Sequence, residues 1–182
     1  LLGLALAFTQ EPFNLPYYKF LVLPLASFLV ISSLKTPKQY LLGGFAFGLG
    51  YFGLTFIWII NPFLVDPQKN IWLVPFAYPL FVSLLSLFWA LAFYFSSYLM
   101  RDEQENHKKV FCLSIVFATA ELFRCYLFSG FPWAILSYAW LDTPVSVFVT
   151  WLGPYILNSI IIITAFNFCL LYTSPSPRDD QT

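Results

Sequence analysis

Charge is what this chain has least of. Asp, Glu, Lys and Arg make up 10% of its 182 residues, where a soluble domain carries about 25%, and that deficit excludes a water-facing surface of ordinary composition. Nine basic residues balance nine acidic ones. They form no long stripe able to grip a phosphate backbone, so nucleic acid is not expected as a partner. Cysteine is also sparse: Cys112, Cys125 and Cys169 stand far apart in or beside apolar segments, with no CxxC or Cys/His grouping. Neither a zinc site nor a disulfide framework is readable from them, and they are expected to behave as small buried hydrophobes. His107 lies in the polar run RDEQENHKK, is expected to be solvated and receives no catalytic role. No metal site and no cofactor are expected.

Apolar surface is abundant instead. The chain is 59% hydrophobic with 22 Phe, 11 Tyr and 6 Trp, and its mean hydropathy of +0.74 is that of a membrane protein. The expected fold is all-α, a polytopic transmembrane helix bundle of about six spans over residues 1–171, the first of them truncated. LLGLALAF at the start is too short to cross alone, since a spanning helix needs about 20 apolar residues. EPFNLP makes a turn, because its two prolines lack amide donors and restrict their neighbours. Further spans are expected over residues 15–34, 40–60, 71–100, 110–128 and 145–171, with Gly153 and Pro154 bending the last or marking its entry. In the span at 40–60, GGFAFGLGYFG places Gly44 and Gly48 four apart, and Ala46 and Gly50 likewise. That spacing makes a groove where another helix can approach closely.

The segment 172–182, ending in TSPSPRDDQT, is abruptly polar and aperiodic. It is expected to be disordered and foreign to the domain. If the spans alternate, the loops at 35–38 and 101–109 share one side and hold Lys35, Lys38, Arg101, Lys108 and Lys109. Their excess of basic charge makes that side cytoplasmic, and SGFPW, residues 129–133, then faces outward.

SGFPW follows two ionisable residues on an apolar span. Glu121 and Arg124 are three apart, so on a helix they share a face and can pair. A charge at mid-membrane costs about 2.5–3.5 kcal/mol on insertion scales and so needs a partner, a polar cavity or an interfacial position. The pair reads either as an interfacial anchor or as the lining of a cleft for a lipid headgroup. Phe131, Pro132 and Trp133, with Tyr138, Trp140 and Trp151, fit an aromatic interface belt. A proline between two aromatics also fixes their directions, as the wall of an acyl-chain pocket requires.

The run AELFRCYLFSGFPWAILSYAW resembles a segment of bacterial apolipoprotein N-acyltransferases that reads roughly A-E-W-L-R-G-x-L-F-T-G-F-P-W-x-x-x-G-Y. Glu121, Arg124, Leu127, Phe128, Gly130, Phe131, Pro132, Trp133 and Tyr138 match it, while Leu122 and Cys125 depart from it. AFTQEPFNLP, GFAFGLGYFGLTFIWIINPFLVDP and WLGPYILN resemble further regions of that family in the same order. The resemblance implies the membrane arm of an enzyme that moves an acyl chain from a phospholipid to the N-terminal diacylglyceryl-cysteine of bacterial lipoproteins. It implies a multi-pass place in the bacterial inner membrane, with phospholipid donor, apolipoprotein acceptor and bilayer as partners. The family's Glu-Lys-Cys triad belongs to a nitrilase-like domain that this sequence is expected to lack, so no residue here is assigned as catalytic and the chain alone is expected to be inactive. Glu121, Arg124, Phe131, Pro132, Trp133 and Tyr138 are the implied lipid-handling residues. A small polytopic transporter or a non-catalytic scaffold subunit is the competing reading.

Overall fold

Trp89 has no exposed surface, and the helices are arranged around it. The computed structural model describes residues 1–10, 13, 18–127 and 133–168, and for residues 18–20 the backbone alone. The described residues form seven α-helices joined by turns and short 3-10 segments: α1 (Leu2–Ala7), α2 (Tyr18–Ser33), α3 (Pro37–Thr55), α4 (Pro67–Asn70), α5 (Val74–Leu99), α6 (Asn106–Leu127) and α7 (Val147–Phe168). The all-α expectation holds. Phe47, Tyr51 and Phe52 of α3 and Phe117 of α6 all place their ring centroids 4.8–5.0 Å from Trp89 of α5. Much of the aromatic wealth of the sequence is spent on this knot, where ring geometry adds to area burial.

Three helical stretches are long and apolar enough to cross a membrane: Pro67–Leu99, Asn106–Leu127 and Pro144–Phe168. A fourth counts if α3 and the following 3-10 segment Ile57–Leu64, bent by 47° from it, form one span. Three or four of the six expected spans are therefore seen among the described residues. The expected span at 40–60 is an α-helix to Thr55 and continues as a bent 3-10 segment, in which Pro62 has no N–H to offer the carbonyl of Trp58. In α2 the described apolar stretch is Leu21–Ser33, shorter than a crossing requires. RDEQENHKK is not wholly a loop either. Residues 106–109 already belong to α6, and His107, solvated as expected, pairs with Glu105 at 2.9 Å.

Local sequence explains the helix starts and close approaches. Thr36 and Gln39 form a capping box at the head of α3, with Pro37 in its first turn. Gly44 and Gly48 meet α5 directly: an added Cβ would lie 2.7 Å from the Trp89 carbonyl oxygen and 2.9 Å from the Ser86 Cα. Gly50 meets α1, where a Cβ would lie 2.9 Å from the Leu4 nitrogen. The expected groove is therefore real and is filled from two sides. In a bilayer such close packing, and not exclusion of water, holds helices together. Ser27 Oγ of α2 donates to the Phe166 carbonyl, and Asn167 of α7 donates to Ser114 of α6, each at 3.1 Å, which closes the bundle. Gly153 adopts φ 75° just before Pro154 and kinks α7 where the sequence placed a bend.

Candidate functional site: a pinned loop at the end of the bundle

Three consecutive carbonyl groups of the segment after α6 are each received by a side chain from a different helix or its flank. Arg124 Nη1 of α6 donates to the Trp133 oxygen at 3.4 Å, Tyr51 Oη of α3 to the Ala134 oxygen at 3.0 Å, and Gln10 Nε2, just past α1, to the Ile135 oxygen at 3.3 Å. From the other side Asn158 Oδ1 of α7 accepts from the Ser137 amide, and Ser137 Oγ donates to the Pro154 carbonyl, both at 3.1 Å. Buried backbone groups must find partners, and here side chains replace the missing secondary structure. Residues 133–137 are thus fixed from α1, α3, α6 and α7 together.

Arg124 is held in turn by Glu121. Nε reaches Oε1 and Nη2 reaches Oε2, both at 2.9 Å, a two-pronged bond suited to a guanidinium. Trp89 Nε1 donates to Glu121 Oε1 at 2.7 Å, and the guanidinium carbon lies 5.3 Å from the centre of the Phe52 ring. Neither side chain of the pair has exposed surface. Pairing across one helix face was legible in the sequence. The structure encloses the pair and turns its spare donor to the loop carbonyl. The pair is neither exposed at an interface nor open to a cleft among the described residues.

Ala134 takes φ 57°, the left-handed region that residues with a Cβ rarely occupy. The hydrogen bonds to the carbonyls on either side of it hold that conformation in place. The result is an outward Trp133, 50% exposed, with its ring 5.3 Å from that of Trp58 in the 3-10 segment after α3. Tyr138 is half-buried in the 3-10 turn Leu136–Trp140. Partial burial, helped by Tyr155 and Cys125, pushes its phenol above the ordinary value, so it stays neutral and able to donate. Phe131 and Pro132 lie outside the described residues. Next to the loop, an apolar cavity of about 580 Å3 runs between α2 and α7, lined by Pro24, Trp140, Phe148, Leu152, Ile161 and Phe168 among others.

Sequence reasoning found Glu121, Arg124, Trp133 and Tyr138 but missed Gln10, Tyr51, Trp89, Asn158 and Trp58. Gln10 and Asn158 had a signal, as amides in otherwise apolar runs that must find partners once buried. Tyr51 and Trp89 did not stand out among so many aromatics. Cys125 is buried as expected and Cys112 is partly so, while Cys169 lies outside the described residues.

Fold and site together define a polytopic helical membrane domain whose rigid core presents a fixed aromatic loop at one end. Its sequence then specifies which domain. Residues 2–167 match the apolipoprotein N-acyltransferase N-terminal domain, and the chain belongs to that family. It is 31% identical over 153 residues to an apolipoprotein N-acyltransferase of Sinorhizobium fredii, covering 80% of this chain and 28% of that protein. Similar matches reach the enzymes of Rhodopseudomonas palustris, 32% over 143 residues covering 76% and 26%, and Brucella suis, 31% over 145 residues covering 75% and 27%. The chain therefore spans a little over a quarter of the length of these relatives.

Proposed function

We propose that this domain holds a phospholipid acyl donor in the bacterial inner membrane and presents it, at the Trp58–Trp133 lip, to the acyl-transfer machinery of a longer protein. The acceptor is the N-terminal diacylglyceryl-cysteine of lipoproteins. In this reading α1 and α2 also belong to crossings, giving about six, of which α1 is a truncated part. The observation that carries it is the triple pinning of the Trp133, Ala134 and Ile135 carbonyls. A connector needs no such fixation, whereas a surface that must position a reacting group gains rate from being preorganised.

The parts take distinct roles. Trp133 and Trp58 form the lip against which the glycerol end of the donor rests, in the layer that amphipathic rings favour. Tyr138 supplies a neutral donor at the rim. The groove between α2 and α7 takes the acyl chain, its volume falling within the range of small-molecule sites. Glu121 and Arg124 do not touch the lipid in this scheme; they position the loop. Family membership supports the reading, since the relatives named above are all apolipoprotein N-acyltransferases.

The test is photocrosslinking in a full-length relative that carries these residues. A phospholipid with a diazirine at its acyl terminus should label the α7 wall around Phe148 and Leu152. Labelling spread evenly over all lipid-facing helices would remove the acyl groove from the proposal.

A further inference from the structure

At the end of the bundle where α2 leads into α3 and α5 into α6, a cavity of about 580 Å3 opens between four helix termini. Its wall carries Lys35 after α2, Arg101 after α5 and Lys109 in the first turn of α6, together with Tyr40, Ser97 and Tyr98. No carboxylate lines it. In the neighbouring turn Glu105 Oε2 receives Lys108 at 3.0 Å and His107 at 2.9 Å, Glu103 Oε2 lies 3.9 Å from Lys108, and Asp102 does not line the chamber. Among the described residues, no ion pair involves Lys35, Arg101 or Lys109. Tyr40 is 7% exposed, and its hydroxyl has no hydrogen-bond partner among the described residues. The heads of α3 and α6 both lie at this end and add the partial positive charge of helix N-termini.

An apolar groove of about 380 Å3 adjoins this chamber. It is lined by Val30 and Leu34 of α2 and its end, Gly43 and Phe47 of α3, and Phe93 of α5, and Leu34 also lines the cationic chamber. A charged head space that shares its Leu34 wall with an apolar slot has the form of an amphiphile. Basic pockets between transmembrane helices are a recurrent way of holding anionic headgroups.

We infer that the Lys35–Arg101–Lys109 chamber binds the phosphate of an anionic phospholipid, with one acyl chain along the groove between α2 and α3. This site lies at the opposite end of α5 and α6 from Trp133, so it is separate from the proposed donor site. Its phosphate meets three cations from two turns, Lys35 from one and Arg101 and Lys109 from the other, and the bound lipid ties the 35–38 and 101–109 turns together. Tyr40 donates its free hydroxyl to a phosphate oxygen.

The experiment is native mass spectrometry of the purified chain released from nanodiscs containing phosphatidylglycerol and phosphatidylethanolamine. The wild-type chain is expected to retain one phosphatidylglycerol. Lys35→Gln, Arg101→Gln and Lys109→Gln should each weaken retention about fivefold, the effect of one surface cation on an anionic lipid. Lys38→Gln is the control, because that lysine shares this end but does not line the chamber; it should leave the adduct intact. Helical circular dichroism confirms that each variant is folded. Equal retention by wild type and the three variants overturns the inference, as does equal retention of the zwitterionic lipid. Inorganic phosphate that binds the lipid-free chain as tightly, with the same loss in the variants, would reassign the chamber to the free anion and overturn the lipid.

Discussion

Arg124 faces two ways: two of its nitrogens hold both oxygens of Glu121 at 2.9 Å, and the third reaches nine residues on to the Trp133 carbonyl at 3.4 Å. A single side chain therefore converts the fixed position of α6 into a fixed position of the loop. That relation separates two properties, the stability of the core and the order of the lip, which substitutions can test apart.

Removing one partner of the pair strands a buried charge. Glu121→Gln should destabilise the domain by about 3–5 kcal/mol, the cost of breaking a buried ion pair from one side. The double replacement Glu121→Leu with Arg124→Met should recover part of that loss, because two apolar residues need no partner while the buried Trp89 N–H loses its acceptor. Thermal unfolding in detergent measures both. In a full-length relative carrying the pair, the double variant should still accumulate and yet transfer acyl chains poorly, since the Trp133 carbonyl has lost its donor. Wild-type turnover in the double variant would refute positioning by Arg124.

Tyr51→Phe isolates one pin. The ring stays stacked on Trp89 at 4.9 Å, and the Ala134 carbonyl alone loses its donor. Leaving one buried acceptor unsatisfied costs about 1–3 kcal/mol, and the strained Ala134 conformation loses a restraint. Hydrogen exchange should rise at residues 134–137 and remain unchanged in α5 and α6. A uniform rise across the bundle would mean that Tyr51 supports the core and not the loop.

The helix interface makes a third claim. Gly44→Val and Gly48→Val push a side chain into the α5 backbone, where even a Cβ would approach to 2.7 Å and 2.9 Å. Each should lower stability by about 1–3 kcal/mol, as overpacking does. Gly53→Ala, on the same helix, meets nothing nearer than 3.9 Å, so it should be neutral or slightly stabilising through helix propensity. Unfolding midpoints of the three variants check the contrast.

Helix positions were largely legible because long apolar runs and polar breaks are local signals. The Gly44 and Gly48 groove, the Gly153–Pro154 bend and the Glu121–Arg124 pairing all follow from spacing along one helix. The bend of 47° between α3 and the 3-10 segment after it was not legible in the run at 40–60, since hydropathy carries no direction. The pins on residues 133–137 were not legible. Gln10 to Ile135 and Tyr51 to Ala134 join positions 125 and 83 residues apart, and no periodicity spans such distances. Burial of the ion pair also depends on α3 and α5 closing over α6, a tertiary fact.

Trp133 offers the sharpest separation of function from folding. Its ring is half exposed and leans on Trp58, itself 43% exposed, while the groups that fix its backbone are the carbonyls of residues 133–135. Trp133→Ala therefore leaves every pin in place. An exposed substitution of this kind changes stability by about 0.5 kcal/mol or less, so a full-length relative bearing it should reach wild-type levels in the membrane. Acyl transfer from phospholipid should nonetheless fall about tenfold or more, because the substrate loses the surface that orients it. Trp133→Phe, which keeps a flat apolar ring, should restore most of the rate. If alanine, phenylalanine and tryptophan all support equal turnover, the ring is an interfacial anchor and the lip plays no part in presenting the donor.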